Sequence, residues 1–189
     1  MHAVSAERYR AWAEGVRASD RAAFAALYES TYAPLHRYVW FITRDEDATD
    51  DVLQEVFIKL WNVRGTVDPD RSLKALLYQM ARNFALNHVR SVKRRAQEPL
   101  EPDAHGADPS TDGELTAGTL ERRLRVWIDE LPPRRREAFR LSRFDGLSHD
   151  EIARVMALTP KTVNNHIVLA LQTLRERLAH FDPDAFRDA

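Results

Sequence analysis

The chain has 189 residues, 28 Lys or Arg against 29 Asp or Glu, and a formal net charge of −1. Its 44% hydrophobic content suffices for a packed core, and near-neutrality excludes a protein that coats nucleic acid by bulk charge alone. Cysteine is absent, which removes disulfides, thiolate metal sites and cysteine nucleophiles.

Met1 to Gly15 mixes charge with Ala and lacks an apolar core of signal-peptide length, so a cytoplasmic protein is expected. No apolar run approaches the roughly 20 residues of a membrane helix. Glu7 to Val16 suggests a short leading helix. Asp20 is a good N-cap for a second, with Phe24, Leu27, Tyr28 and Tyr32 recurring at helical spacing as core rather than as a ligand cage. Leu35, Tyr38, Val39 and Ile42 continue that pattern past Pro34, which marks a kink or a new start.

Asp45, Glu46 and Asp47 suit the N-terminus of the next helix, where carboxylates are favourable against the macrodipole. A calcium loop is a poor fit, because Asp50 and Val56 occupy the positions that need Gly and Glu. Val52, Leu53, Val56, Phe57, Leu60 and Trp61 give this helix a wide apolar stripe, with Gln54, Glu55 and Lys59 on the wetter side. Gly65 and Asp68-Pro69-Asp70 then break the chain.

From Arg71 to Arg95 there are seven Arg or Lys and no acid. Leu73, Leu76, Leu77, Met80 and Phe84 mark one face of a long helix. Lys74, Arg82, Asn83, Asn87, His88 and Arg90 lie largely off it. Such a helix could grip a nucleic-acid backbone, with Tyr78, Asn83 and Asn87 holding unstacked bases. Gln97 to Gly118 carries six acids, three Pro and three Gly, which reads as a flexible acidic linker. Fully extended, it spans at most roughly 75 Å.

Four helices are expected after the linker. Leu120, Leu124, Trp127, Ile128 and Leu131 mark the first, which stops at Pro132-Pro133; Arg134 to Phe144 forms the second. Arg134, Arg135, Arg136, Arg140 and Arg143 on it could touch phosphates. The last two form a helix-turn-helix over Leu147 to Leu171. Ser148 and Glu151 suggest a capping box, and Thr159 with Pro160 starts the second helix. Lys161, Thr162, Asn164 and Asn165 face outward near that start, where a recognition helix presents its first residues to base edges. The fold class is therefore all-α: two small helical domains, 1–95 and 119–189, joined by the linker 96–118.

With these motifs in order, the chain resembles the compact, extracytoplasmic-function sigma factors of bacterial RNA polymerase. Asp50-Asp51-Val52-Leu53-Gln54-Glu55-Val56-Phe57 with Leu60-Trp61 looks like that family's clamp-docking helix. Tyr78 and Ala81-Arg82-Asn83 on to Arg90 look like its promoter-melting helix. Leu131-Pro132, Gly146-Leu147-Ser148, Glu151-Ile152-Ala153 and Thr162-Val163 look like its C-terminal domain. The family often has Trp where Leu76 stands and Asp where Asn87 stands. Its recognition helix is often more basic, and Gly is common where Ala157 stands.

The resemblance implies core-polymerase contacts at Asp50, Asp51, Gln54, Glu55 and Phe57. It implies capture of the melted minus-ten strand by Lys74, Tyr78, Arg82, Asn83, Asn87 and Arg90. It implies minus-thirty-five reading by Arg136, Lys161, Thr162, Asn164, Asn165 and His166, while the acidic linker threads toward the RNA exit path. The partners implied are core polymerase and promoter DNA; an anti-sigma factor is left open as a further one. No nucleophile–base pair or metal-ligand cluster is visible, so neither catalysis, cofactor nor metal is expected. Two rivals remain: a quorum- or response-regulator-like transcription factor independent of core polymerase, and a helical adaptor that binds only protein.

Overall fold

The computed structural model describes residues 4–97 and 117–181, and among these it is helical with no strand. By contacts the chain divides into two units. One holds α1 (Ala6–Arg17), α2 (Arg21–Thr43), α3 (Glu46–Asn62) and α4 (Leu73–Gln97), together with Asp150–Leu158. The other holds α5 (Ala117–Asp129), α6 (Pro133–Arg143) and α8 (Pro160–Phe181). Residues 150–158 carry nearly all of α7 (His149–Met156). The expected linker lies outside the described residues from 98 to 116. Its outermost positions do not: Gln97 closes α4, and Ala117-Gly118 open α5.

Each helix start in the first unit has a chemical reason. Ser5 caps α1 by accepting from the Arg8 amide. Asp20 Oδ1 accepts from the amides of Ala22 and Ala23, and Asp45 Oδ1 from Ala48, so both carboxylates satisfy orphan donors at a positive helix end. Ser72 Oγ accepts from Ala75. Gly15 is required by proximity: a Cβ built there would meet the Ala23 Cβ at 2.4 Å. That close approach seats α1 on α2.

Of the kink or new start expected at Pro34, the new start is absent; the helix runs unbroken from Arg21 to Thr43. Proline forfeits one amide bond, but Leu27, Thr31, Leu35, Tyr38 and Val39 are buried on both sides of it, so packing holds the segment helical. The turn from α2 to α3 is tied by hydroxyls. Thr49, fully buried, donates to the Asp45 carbonyl at 2.7 Å and lies 2.8 Å from the Thr43 hydroxyl. Arg44 sits there in the left-handed region at φ 56°.

In the second unit Ile128, Leu131, Phe139, Ala170 and Leu174 form the core, with Trp127 and Leu171 packed against it. Arg177 pairs with Glu130, and Trp127 meets Phe181 edge-on at 6.0 Å, which fastens the end of α8 to α5. No helix among the described residues is long and apolar enough to cross a membrane.

Candidate protein-docking and nucleic-acid surfaces

α3 buries Val52, Leu53, Val56, Phe57 and Leu60, and this stripe orients the rest of the helix. Asp50, Asp51, Gln54, Glu55 and Ile58 are left exposed. Asp50, Asp51, Gln54 and Phe57 share a groove of about 790 Å³ between α2 and α3; Glu55 does not line it. Phe57 contributes from beneath, only 5% exposed, with Phe24 at 6.2 Å and Tyr28 at 4.7 Å between ring centres. Trp61 and Tyr32 extend the aromatic wall.

Here the sequence reading was incomplete. Leu27 is core, as expected, but Tyr28 is 41% exposed and Phe24 and Tyr32 are half-buried. The signal was a second line, Phe24–Tyr28–Tyr32, at i, i+4, i+8 beside the core line Leu27–Thr31–Leu35. Two adjacent apolar lines are more than one packing face needs. On the groove rim the Tyr32 hydroxyl donates to Asp50 Oδ1 at 2.8 Å. That hydrogen bond, then burial, then the carboxylate charge push the Tyr32 phenol up to about 12. His36 Nε2 lies 3.3 Å from Glu46 and 3.5 Å from Asp50.

α4 differs from its expected orientation. Leu73, Ala75, Leu77, Tyr78, Ala81 and Ala85 are buried, whereas Leu76, Met80 and Phe84 are only half-buried. Tyr78, expected to hold an unstacked base, is instead a core residue at 3% exposure, 5.1 Å from the Tyr38 ring. Lys74 and Arg82, one turn to either side of Tyr78 on the same line, are half-buried. Asn83, Asn87 and Arg90 are exposed and follow one another at i, i+4, i+7, with Arg90 donating to Asn87 Oδ1 at 3.4 Å. The continuous polar line on α4 is therefore Asn83–Asn87–Arg90, with Lys74 and Arg82 at its flank.

α7 ends at Met156, and Ala157 takes the left-handed conformation at φ 54°. That position favours glycine because it crowds a Cβ. α8 then starts as expected: Thr159 Oγ1 accepts from the Thr162 amide at 3.2 Å, and Pro160 stands first in the helix. The Thr159 and Thr162 hydroxyls also bond each other at 2.8 Å. Val163, Ile167, Ala170 and Leu174 face inward, leaving Lys161, Asn164 and Asn165 exposed together. Val168, 51% exposed, continues their face one turn on, an apolar position among the polar ones that the pattern of caps and polar residues does not predict.

His166 is half-buried, and burial, then the nearby guanidinium groups of Arg135 and Arg134, hold its imidazole below the usual range. Arg136 is placed differently from its neighbours on α6. Its guanidinium donates to the Asp129 carbonyl at the end of α5, where a cation also suits the helix terminus.

Comparison with known proteins agrees with this layout. Residues 27–95 match the family model Sigma-70 region 2, and residues 121–174 match Sigma-70, region 4. The ECF RNA polymerase sigma factor SigK of Mycobacterium bovis is 28% identical over 167 residues, covering 86% of this chain and 89% of that protein. SigK of Mycolicibacterium vanbaalenii is 26% identical over 84% of this chain and 83% of its own length. Two solved structures share the fold. CnrH in complex with the cytosolic domain of CnrY gives a TM-score of 0.65 at 24% identity, covering 92% of this chain and 98% of CnrH. The sigma factor RpoE of Bartonella quintana, with the anti-sigma factor NepR, gives 0.63 at 20%, covering 82% and 96%.

A core-independent regulator is not favoured, since the segment that would be its receiver matches Sigma-70 region 2. The chain belongs to the extracytoplasmic-function sigma factors: it is an alternative sigma factor that binds core RNA polymerase and directs promoter-specific initiation of transcription.

Proposed function

We propose that three polar faces divide this task. On α3, Asp50, Asp51, Gln54 and Glu55 dock on the polymerase clamp, with Phe57 and the aromatic groove supplying apolar contact. On α4, Asn83, Asn87 and Arg90, flanked by Lys74 and Arg82, capture the melted non-template strand of the minus-ten element; Tyr78 braces that helix from the core. On α8, Lys161, Thr162, Asn164, Asn165 and His166 read the minus-thirty-five duplex, and Arg136 acts by fixing α6 to α5. The work is done in the cytoplasm, beside the polymerase, as a regulatory factor without catalysis of its own.

What supports this reading is a single pattern. Three helices each expose a polar set, Asp50, Asp51 and Gln54 on α3, Asn83, Asn87 and Arg90 on α4, and Lys161, Asn164 and Asn165 on α8, all inside the residues matched by regions 2 and 4. A third partner follows by analogy. CnrH is bound to the cytosolic domain of CnrY, and RpoE to the anti-sigma factor NepR. An anti-sigma protein would hold this chain until a signal releases it.

The test is run-off transcription from genomic fragments with core polymerase, with and without the protein. Discrete new start sites that require both components are expected. Tight, sequence-specific binding to promoter duplex without polymerase would overturn the division of labour.

A further inference from the structure

We propose that Tyr32 is a positioning residue for core-polymerase docking: its hydroxyl holds the Asp50 carboxylate in the orientation that a cationic group on the polymerase meets. This rests on the reading that Asp50 belongs to the docking face.

The geometry separates the two oxygens of Asp50. Tyr32 donates to Oδ1 at 2.8 Å, and the His36 ring nitrogen approaches the same oxygen at 3.5 Å. Oδ2 is left as the acceptor for an incoming donor, on a side chain that remains 58% exposed. The donor is itself held in place. Tyr32 is half-buried on α2, and its ring lies 5.3 Å from Tyr28 and 5.8 Å from His36. A surface aspartate without such a brace samples several rotamers and must be ordered when its partner arrives; here that ordering precedes binding.

The choice of a phenol also has a consequence for charge. A lysine or arginine at this place would neutralise Asp50 within the molecule. Tyr32 stays protonated across the physiological range, so the bond fixes geometry while the carboxylate keeps its full negative charge. The preferred partner is therefore a guanidinium or ammonium group bordering an apolar side chain that enters the groove.

The experiment is a double-mutant cycle on the full chain, with affinity for core polymerase measured by fluorescence anisotropy at one fixed salt concentration. Tyr32→Phe keeps the ring in its packing and removes only the hydroxyl. It should weaken binding roughly five- to tenfold, within the net range of a typical lost hydrogen bond. In an Asp50→Ala background, which is itself weaker, Tyr32→Phe should have no further effect. Unchanged affinity of Tyr32→Phe with a normal Asp50, alongside a weakened Asp50→Ala, would overturn the inference and leave the docking face standing. Equal losses in both backgrounds would overturn it too, because Tyr32 would then act through something other than Asp50. Full affinity of Asp50→Ala would overturn the placement of Asp50 in the docking face and the inference with it. An unchanged unfolding midpoint for Tyr32→Phe completes the support by excluding a loss of fold.

Discussion

α4 and α8 are both proposed to meet nucleic acid, yet they present different surfaces. α4 offers the flank of a helix: Asn83, Asn87 and Arg90 run along its axis while the opposite side is buried against α2 and α3. α8 offers the first turns of a helix, where Lys161, Asn164 and Asn165 cluster just past the cap. A flank follows a flexible single strand over several nucleotides, whereas a helix start fits the width of a major groove. Position along the helix, more than net basicity, separates a strand holder from a duplex reader.

The largest expected effect tests the strand holder. Asn83→Ala combined with Asn87→Ala should reduce open complex roughly a hundredfold, if each contact is worth on the order of 1–3 kcal/mol. Permanganate footprinting should show this loss equally on matched and scrambled upstream elements. Dependence on the upstream element would mean that the two helices do not read separate parts of the promoter.

Next come the reader's own contacts. Lys161→Ala and Asn165→Ala should each cost on the order of 1–3 kcal/mol of promoter recognition. Abortive transcription should register that cost only when the upstream element is intact; equal losses on a scrambled element would remove α8 as the sequence reader.

The caps sharpen the contrast further. Thr159→Ala should lower stability by about 1 kcal/mol and also weaken upstream recognition, because the reading residues begin at that cap. Ser72→Ala should lower stability by a similar amount, about 1 kcal/mol, yet leave strand capture intact, since Asn83 lies well inside α4. Chemical denaturation and template binding on the same samples separate the two outcomes.

A gain of similar size is expected from Ala157→Gly, about 1 kcal/mol of added stability, since glycine tolerates φ 54° without a Cβ penalty. The smallest effect is a pH slope. His166 has a folded-state pKa below its unfolded value, so the unfolded chain takes up the proton first as pH falls. Stability should therefore decline from about pH 6.5 downward, the ordinary histidine value, until the folded pKa is passed. His166→Gln should flatten that part of the curve in pH-dependent thermal melts.

Helix starts were the most legible part of the sequence. Asp20, Asp45 and Thr159-Pro160 cap where local chemistry says they should, because capping depends on neighbours a few residues away. The roll of α4 about its axis was not legible. Leu76, Met80 and Phe84 are bulkier than Ala81 and Ala85, so size alone favoured the wrong line. Fully buried alanines mark where a neighbouring backbone comes closest, a distance no local pattern encodes. That same rotation took Tyr78 into the core. Likewise the Phe24–Tyr28–Tyr32 line was visible as apolar, but whether another helix covers it is a tertiary fact.

The hydroxyl-tied corner between α2 and α3 bears on kinetics. Thr43, Thr49 and the Asp45 backbone leave that corner no glycine hinge, and the Asp45 cap locks the first turn beyond it. Both walls of the aromatic groove are thus joined by a corner that carries its own hydrogen bonds. On the proposed docking role of this groove, association then waits on diffusion and charge steering rather than on a conformational step.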